Sequence, residues 1–503
     1  MKLFKKSTIS LALTAAVAGG ALMGVSAPVQ AVNIAQDGLG EVLVFPYYNT
    51  RDGWTSLFTI TNTSDDTVIA KVRWREGKNS RDARDFNVIL SPYDIWTAGT
   101  RSTGEGAGMF TSDNSCTFPE LPSLPSVGGN TLTGIDFTNG AYAQAGGEDN
   151  RDNGGTGLDR TKEGYFEVIE MGTISDESSI GNNAEQLAFN AEHVGGSNNT
   201  AVPRDCDRVR ALLRGNVGLT TAQLLEEPEN NLKGEAVLVK GADGIAAGYN
   251  PTTLANFADT QIYDEPDSPN PNLDSASPAA AVIISDANPT APTTFVPLSG
   301  RGVDAVSELI SRGTVVNNFN VAGDSETSWV MTFPTKNFYV DRPLFASNGQ
   351  SPLGAGVLPL APFDTPVNGE VFGLDYNDPE GKSCFDVNFN LWDREEYEPT
   401  INVVDGFSPR IGAARNQTVL CYEANIVSFG GDGSADLDNG EGLFSSKIAS
   451  QISSAVLPGD NGWGQMSFGS GSTLPVVGMK VEIRNRGDAA VNYGFANDHA
   501  YKR

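Results

Sequence analysis

Residues 54–96 contain three runs in which apolar and polar residues alternate. Side chains of a β-strand point alternately to opposite faces, so this period of two predicts three half-buried antiparallel strands. A second layer must cover their apolar face, which predicts a mainly β fold: an antiparallel β-sandwich, jelly-roll or immunoglobulin-like, with long loops and one or two short helices. The apolar positions of the three runs are Phe58 and Ile60, then Val68, Ala70, Val72 and Trp74, then Phe86, Val88 and Leu90, and Lys71, Arg73 and Arg75 take the opposite parity of the second run.

Short apolar runs bounded by turn residues predict further strands. Residues 42–45 are apolar on both faces, so this strand must either pair within its own sandwich or add to the open sheet edge of a neighbouring molecule. Residues 303–312 space their apolar side chains three to four apart, which predicts a helix. The other predicted strands are 165–171, 236–239, 279–284, 329–333, 337–340, 418–429 and 476–483, with a hairpin turn at Pro334-Thr335 and with 99–157 and 184–214 as loops.

Residues 1–31 have the pattern of a signal peptide, because Lys2, Lys5 and Lys6 precede a short apolar run and Ala31 stands at the expected cleavage point. Residues 32–503 are predicted to form one large β-sandwich unit. Its Pro- and Asp-rich segment 264–278 is either a linker or a long surface loop, since proline cannot donate to a β-ladder. We expect an exported protein without membrane insertion, extracellular or at the cell surface, with the periplasm as the alternative.

The chain is strongly acidic, with 62 acidic against 34 basic residues and a formal net charge of −28 at pH 7. A surface of this sign repels nucleic acids and anionic lipid headgroups, and both are discounted as partners. The charge attracts cations, or it keeps a secreted protein soluble.

Four cysteines follow the signal segment, and an even number in an exported chain predicts two disulfides. Three pairings exist, and proximity in sequence favours Cys116 with Cys206 and Cys384 with Cys421. Metal ligation is the alternative, although C-x-x-C spacing is missing and only His193 and His499 are present to assist.

Several sequence blocks resemble a family of secreted, β-rich proteobacterial proteins. The resemblance implies one exported β-rich unit, and it brings no activity, substrate or site residue with it. The blocks occur in order from one end of the chain to the other: GEVLVFPYYN, WREGKNSRDARDFNVILSPYDIW, GYFEVIEMG, SWVMTFPTKNFYV, LWDREE, LCYEANIVSF, LPVVGM and NYGFANDHAY.

The sequence carries no catalytic signature, since it lacks both G-x-S-x-G and H-E-x-x-H. A glycosidase needs only two carboxylates, and Glu167 with Glu170 or Asp393 with Glu395 are the nearest pairs. Glu167 and Glu170 are three apart on one predicted strand and therefore point to opposite faces. Carboxylates that are solvated or that cap loops are the alternative interpretation, which we favour in a chain this acidic.

The acidic segment 432–441 offers a candidate calcium site. Its alternating oxygen-bearing side chains in a Gly-rich loop resemble the ligand pattern that a hard cation requires. Leu437 replaces the glycine that an EF-hand loop needs, and Leu443 stands where its last glutamate would be, so a plain acidic turn is the alternative. The candidate ligands are Asp432, Ser434, Asp436 and Asp438.

The tryptophans bear on the choice between a structural or adhesive protein and a carbohydrate-binding one. Trp74 and Trp329 have the parity of core residues, whereas Trp54, Trp392 and Trp463 lie in loop-like contexts, at the rim or exposed for stacking on sugar rings. We therefore predict a secreted, non-enzymatic structural or adhesive protein of the cell surface or extracellular matrix, which self-associates as an appendage subunit or binds a cell-surface partner. The alternative is a secreted carbohydrate-binding or carbohydrate-cleaving protein.

Overall fold

The computed structural model describes residues 31–143, 152, 154–174, 181–196, 201–214, 225–285, 288–341, 360–364, 383–397, 418–430, 442–452, 454, 457–469 and 472–502. These residues form a mainly β structure of antiparallel sheets with long connections and a few short helices, which confirms the predicted fold class. One pair of strands is parallel. None of the helices among these residues is both long and apolar enough to cross a membrane.

Two seven-stranded sheets pack face to face in the N-terminal half. The first sheet has the order β1-β16-β2-β11-β4-β5-β8 and the second the order β15-β14-β3-β6-β7-β10-β9. The strands are β1 (Asn33–Ile34), β2 (Val42–Asn49), β3 (Trp54–Asn62), β4 (Thr67–Glu76), β5 (Asp82–Leu90), β6 (Ile95–Ser102), β7 (Ala107–Thr111), β8 (Cys116–Phe118), β9 (Ser123–Val127), β10 (Asn130–Asp136), β11 (Glu163–Ile174), β12 (His193–Val194), β13 (Val202–Pro203), β14 (Leu232–Lys240), β15 (Ile245–Tyr249) and β16 (Thr252–Ala255).

The three strands predicted within residues 54–96 are present as β3, β4 and β5, but they do not form one sheet. β4 pairs with β5, whereas β3 lies in the opposite sheet between β14 and β6. The two layers meet through aromatic side chains, with ring centroids of Phe58 and Phe166 4.8 Å apart and those of Phe58 and Trp74 5.6 Å apart. The alternating apolar residues of the three strands thus form the core between the sheets, as predicted.

The strand β4 is buried on both faces, so the prediction that it is half-buried is wrong. Lys71 donates to the carbonyl oxygens of Glu265 and Ser268, each at 2.9 Å, and Arg73 donates to that of Pro271 at 2.9 Å. The Pro- and Asp-rich segment 264–278 therefore packs across this sheet and supplies carbonyl acceptors to the basic side chains. The local pattern assigns this face of β4 to solvent. Contacts with residues about 195 positions further along the chain cover it instead.

Two five-stranded sheets form a second sandwich in the C-terminal half, in the orders β23-β22-β26-β20-β30 and β25-β24-β21-β28-β29. We call the first of these the β22–β26 sheet. The strands are β17 (Ala281–Ser285), β18 (Asn288–Phe295), β19 (Ser311–Arg312), β20 (Thr314–Asn320), β21 (Ser325–Thr332), β22 (Phe385–Asp393), β23 (Thr418–Leu420), β24 (Ala424–Phe429), β25 (Ala449–Ile452), β26 (Asn461–Phe468), β27 (Leu474–Pro475), β28 (Val477–Arg484), β29 (Tyr493–Asp498) and β30 (Ala500–Lys502).

The strand β2 links the apolar cores of the two halves. It lies inside its sheet, paired with β16 on one side and β11 on the other, so the strand that is apolar on both faces pairs within the chain. Leu43 and Phe45 belong to the same apolar cluster as Met479 and Val481 of the C-terminal half, while Val42 and Val44 belong to a cluster with Trp329. Each cluster therefore contains residues of both sandwiches.

The helices of the described residues are short, and the sequence predicted α4 alone among them. α3 and most of α2 lie in residues 184–214, predicted as loop, and they cover the outer side of the first sheet through Leu187, Val209 and Leu212. α4 confirms the predicted helix, whereas α5 replaces the hairpin predicted at Pro334-Thr335. The helices are α1 (Gly140–Ala143), α2 (Gly181–Ala191), α3 (Cys206–Leu213), α4 (Gly302–Ile310) and α5 (Asn337–Val340).

Both disulfides join the partners that sequence proximity favours. Cys116 of β8 is bonded to Cys206 at the start of α3, which fastens the helical cover to the sheet edge. Cys384, directly before β22, is bonded to Cys421, directly after β23. No cysteine is left as a free thiol. The two bonds indicate that the protein matures in an oxidising compartment.

Candidate functional site

The outer face of the β22–β26 sheet presents an unusual set of side chains. Along β22, the odd-numbered positions from Phe385 to Leu391 point into the sandwich, so the even-numbered positions point outward. The same alternation on β26 buries Gly464, Met466 and Phe468 and turns the positions between them outward. We call the outward set the tryptophan–amide face; it consists of Asn388, Asn390 and Trp392 on β22 and of Trp463, Gln465 and Ser467 on β26.

The two tryptophans of the tryptophan–amide face form a cross-strand pair. Trp392 and Trp463 are direct partners in the register, and their rings stack with centroids 4.3 Å apart and an interplanar angle of 18°. Glycines flank Trp463 on both sides: a Cβ at Gly462 would lie 2.0 Å from the carbonyl oxygen of Trp392, and one at Gly464 would lie 2.6 Å from Leu391 Cδ2. The glycines therefore allow β26 to lie close enough for the indoles to stack. Trp463 remains 42% exposed.

The amide side chains continue the face along both strands. Asn390 lies opposite Gln465, and Asn388 lies opposite Ser467. Asn388 and Asn390 are exposed, and their side chains make no hydrogen bond to any residue that the structure describes. Each asparagine and glutamine amide offers two donors and an acceptor, so the row can serve a ligand that both donates and accepts hydrogen bonds.

This combination fits the surface of a sugar. A pyranose ring has an apolar C–H side that stacks on an indole, and its hydroxyls alternate as donors and acceptors that pair with neutral amides. The two stacked indoles lose little side-chain entropy when a ligand binds, because their neighbours already fix their rotamers. The face is therefore suited to hold a saccharide.

The remaining tryptophans belong to the core. Trp74 and Trp329 are fully buried, as predicted. Trp54 is 1% exposed, begins β3, and donates its indole N–H to the carbonyl oxygen of Leu443 at 3.1 Å. The prediction that Trp54, Trp392 and Trp463 lie in loop-like contexts is therefore wrong, because all three are strand residues. Glycine and charged neighbours suggested loops at positions that long-range pairing makes into strands.

The predicted carboxylate pair on β11 is divided between two structural roles. Glu167 is buried and accepts from Arg75 Nε at 3.1 Å. Glu170 accepts from the backbone N–H groups of Glu229 and Asn231, each at 3.0 Å, and so caps the loop that precedes β14. The two side chains thus stabilise different parts of the fold.

The second carboxylate candidate organises the end of β22. Asp393 Oδ1 accepts from the backbone N–H groups of Glu395 and Tyr397, each at 2.9 Å, and closes the turn beyond Trp392. Tyr397 is 59% exposed at this end of the strand. Asp393 therefore positions the turn beside the tryptophan pair.

The predicted calcium ligands Asp432, Ser434, Asp436 and Asp438 lie outside the described residues. Within the described part of the chain, no group of three or more histidine, cysteine, aspartate or glutamate residues is arranged to hold a metal ion. Both histidines are engaged. His499 is buried, and desolvation lowers its pKa to about 4; its Nε2 lies 3.1 Å from the carbonyl oxygen of Val330. His193 Nε2 lies 2.7 Å from Asn114 Oδ1.

Buried ionic groups connect the two halves, and the sequence pattern did not reveal them. Arg160 contacts Glu76 and Asp152, each at 2.8 Å, and its guanidinium lies 4.1 Å from the ring centroid of Tyr142. Arg81 bridges Asp152 at 3.4 Å to Asp341 of the C-terminal half at 3.0 Å. All the charged groups of this set are nine-tenths or more buried. Their pairing fixes the β4–β5 loop against the neighbouring sandwich.

The buried carboxylates of Glu41 and Glu170 make the free energy of unfolding depend on pH. Burial raises the pKa of Glu41 from 4.5 to about 8 and that of Glu170 to about 7. Both groups then bind a proton more tightly in the folded than in the unfolded chain, so they reduce the free energy of unfolding as pH rises from about 4.5 to 8. Glu41 Oε2 accepts from the N–H groups of Phe257 and Ala258, while its Oε1 has no partner among the described residues.

We expect Glu41→Gln to stabilise the protein at pH 8 to 9 and to flatten the decline of stability above pH 5, because an amide imitates the protonated acid. Urea unfolding between pH 5 and 9 measures both effects. Glu105→Gln, a change of an exposed acid, serves as the control and should leave the pH profile unchanged. Equal profiles for wild type and Glu41→Gln would show that Glu41 is ionised in the folded state at pH 7.

No family model, curated protein or solved structure matches this chain.

Proposed function

We propose that the protein is an exported, non-enzymatic glycan-binding protein that acts in adhesion at the cell surface or in the extracellular matrix. The tryptophan–amide face carries the proposal, above all the exposed Trp463 stacked on Trp392 beside a row of unpaired amides. The outer surface of the Trp463 indole is apolar, and a sugar ring can stack on it while its hydroxyls form hydrogen bonds with the amides.

The location of the protein fits this role. The two disulfides indicate an oxidising compartment, and the basic and apolar N-terminal segment supports export. The negative net charge of −28 keeps such a protein soluble at high concentration.

The scaffold holds the proposed site rigidly. The Cys384–Cys421 disulfide fastens the beginning of β22 to the end of β23, and Lys336 donates to the carbonyl oxygens of Ser383 and Cys421 at 2.8 and 2.7 Å. Beneath the face, Trp329 packs against Phe389 with centroids 5.9 Å apart. A preorganised surface loses little conformational entropy on binding, which favours recognition of a flexible saccharide chain.

A role as an appendage subunit is less well supported. That hypothesis requires a strand that is free to add to a neighbouring molecule, and it rested on residues 42–45. The strand β2 is paired on both sides within its own chain. The adhesive part of the predicted function therefore remains, with glycan contact as its physical basis.

We expect Trp463→Ala to weaken glycan binding by about 2 kcal/mol, or roughly 30-fold in Kd, the size of effect that truncating a central aromatic anchor has. Affinity electrophoresis through gels that contain soluble polysaccharides measures the change. The matched control is Phe189→Ala, which removes another exposed aromatic, 52% accessible, from α2. Near-ultraviolet circular dichroism should show that both variants are folded. Unchanged retardation of folded Trp463→Ala would contradict the proposed site.

A further inference from the structure

The tryptophan–amide face carries almost no charge, although one residue in five of the chain is charged (19%). The outward positions between residues 388 and 392 of β22, and between 463 and 467 of β26, hold only aromatic, amide and hydroxyl side chains. Thr314 and Val316 continue the face on β20. Among the described positions of this face, the basic residue is Lys502, opposite Thr314 at the far edge of the sheet.

Acidic groups stand at both ends of the β22 row. Asp386 precedes it, and Asp393, Glu395 and Glu396 follow it together with one basic residue, the exposed Arg394, within a chain whose net charge is −28. Recognition of a uronate or sulfate group requires arginine, lysine or a metal ion, because a buried or partly buried anion must be paired. A negatively charged ligand here would instead meet repulsion of the same sign. The charges thus favour ligands without ionised groups.

The dimensions of the face indicate how such a ligand lies. From Asn388 to Trp392 the strand advances four residues, or about 13 Å at the usual rise per residue. This length exceeds one sugar ring, and a sheet face continues along its strands rather than closing around a chain end. Only one ring can stack on the outer surface of Trp463, because the other surface of the pair is taken up by the stack itself. Neighbouring sugars would then contact the amides.

We infer that the glycans bound by this face are neutral polysaccharides, held through an internal run of sugar units along β22 and β26. This inference rests on the glycan binding proposed above. One ring stacks on Trp463, and the adjacent units form hydrogen bonds with Asn390, Gln465 and Asn388. Polymers that carry uronate or sulfate groups are disfavoured, because the described outward positions 388–392 and 463–467 hold no basic residue and because acidic residues outnumber Arg394 at the end of β22.

Two sets of soluble polymers test the inference in affinity gels with the full mature chain. The neutral set is a mixed-linkage β-glucan, a xylan, a galactomannan and an α-glucan; the acidic set is polygalacturonate and alginate. We expect retardation by at least one neutral polymer, none by the acidic ones, and little change between low and high salt. The double variant Asn388→Ala/Asn390→Ala should bind the same polymer about 30-fold more weakly, since each of the two side chains loses a hydrogen bond that accounts for roughly 1 kcal/mol.

The outcomes separate this inference from the proposal on which it rests. An acidic polymer could retard the protein, with the retardation weakened by salt and abolished by Trp463→Ala. That result would show that the ligand is not neutral, while glycan binding by this face would still hold. Retardation by none of the polymers would overturn both proposals. If folded Trp463→Ala binds a neutral polymer as tightly as the wild type does, the tryptophan–amide face is not the binding site. Reduction of the chain ends with borohydride should leave binding intact, and its loss would contradict recognition of internal units.

Discussion

Deleting residues 32–48 is expected to leave no folded monomer. The deletion removes β1 and nearly all of β2, whose eight residues are fully buried. Leu43 and Phe45 leave one apolar cluster, and Val42 and Val44 leave the other. Each lost large side chain accounts for roughly 1.5–3 kcal/mol, and the sum approaches the whole stability of a typical domain, about 5–15 kcal/mol. Loss of the β11 and β16 pairing adds to the deficit.

Near-ultraviolet circular dichroism and limited proteolysis of the deleted chain measure this result. Two single substitutions, one of a buried and one of an exposed side chain, give reference values for the loss of stability. Phe45→Ala should cost about 3–5 kcal/mol, because the ring is fully buried and stacks on Phe166 at 4.1 Å. Leu57→Ala, at an outward position 40% exposed on β3, should change stability by less than about 0.5 kcal/mol. A folded deletion variant that is monomeric would show instead that β2 serves contacts between molecules.

The strands of this fold could be predicted where the pattern is local. In β3 and β5 the inward positions alternate with polar ones and the strands end at recognisable turns, so both were located from the sequence. β4 has the same alternation, yet its basic side chains are buried. The information that decides this lies in residues 265–271, whose carbonyl oxygens accept from Lys71 and Arg73. No pattern within β4 encodes contacts so far along the chain.

The tryptophan–amide face was harder to predict for a related reason. Trp392 and Trp463 are 71 positions apart and become partners only through the register of β22 and β26. Glycines beside Trp463 suggested a loop, whereas they serve close approach of the two strands. The prediction that the Gly-rich residues 99–157 are loops is wrong for the same reason, since the four strands β7 to β10 lie there. The signal available in the sequence was that Trp392 and Trp463 stand beside aspartate or glycine, and it supported only the alternative, carbohydrate-binding hypothesis.

Replacing Arg160 by Met should destabilise the protein by about 3–5 kcal/mol, because it leaves the buried carboxylate of Glu76 without its cation and leaves that of Asp152 with Arg81 alone. Arg160 is the common partner of Glu76 and Asp152, both less than 2% exposed. Glu76 also accepts from the backbone N–H groups of Lys78, Asn79 and Arg81, so its charge stabilises the β4–β5 loop. Urea unfolding at pH 8 measures the loss. Arg204→Met breaks an exposed pair with Glu192 and should cost less than about 1 kcal/mol.

The pH dependence distinguishes loss of charge pairing from loss of packing. Arg160 holds the pKa of Asp152 well below its ordinary value, so Asp152 stabilises the wild type above the pKa of the unfolded chain and stops doing so as pH falls. Without Arg160, only Arg81 offsets the effect of burial on the Asp152 carboxyl, so its pKa should rise, and protonation then relieves the weakly paired charge. The stability difference between wild type and Arg160→Met should therefore shrink between pH 8 and pH 5.

Adding Asp152→Asn to the variant should recover part of the loss at pH 8, because a neutral amide can remain buried with its hydrogen bonds. A difference that stays constant with pH, and no recovery in the double variant, would assign the effect to the packing of Arg160 against Tyr142 instead.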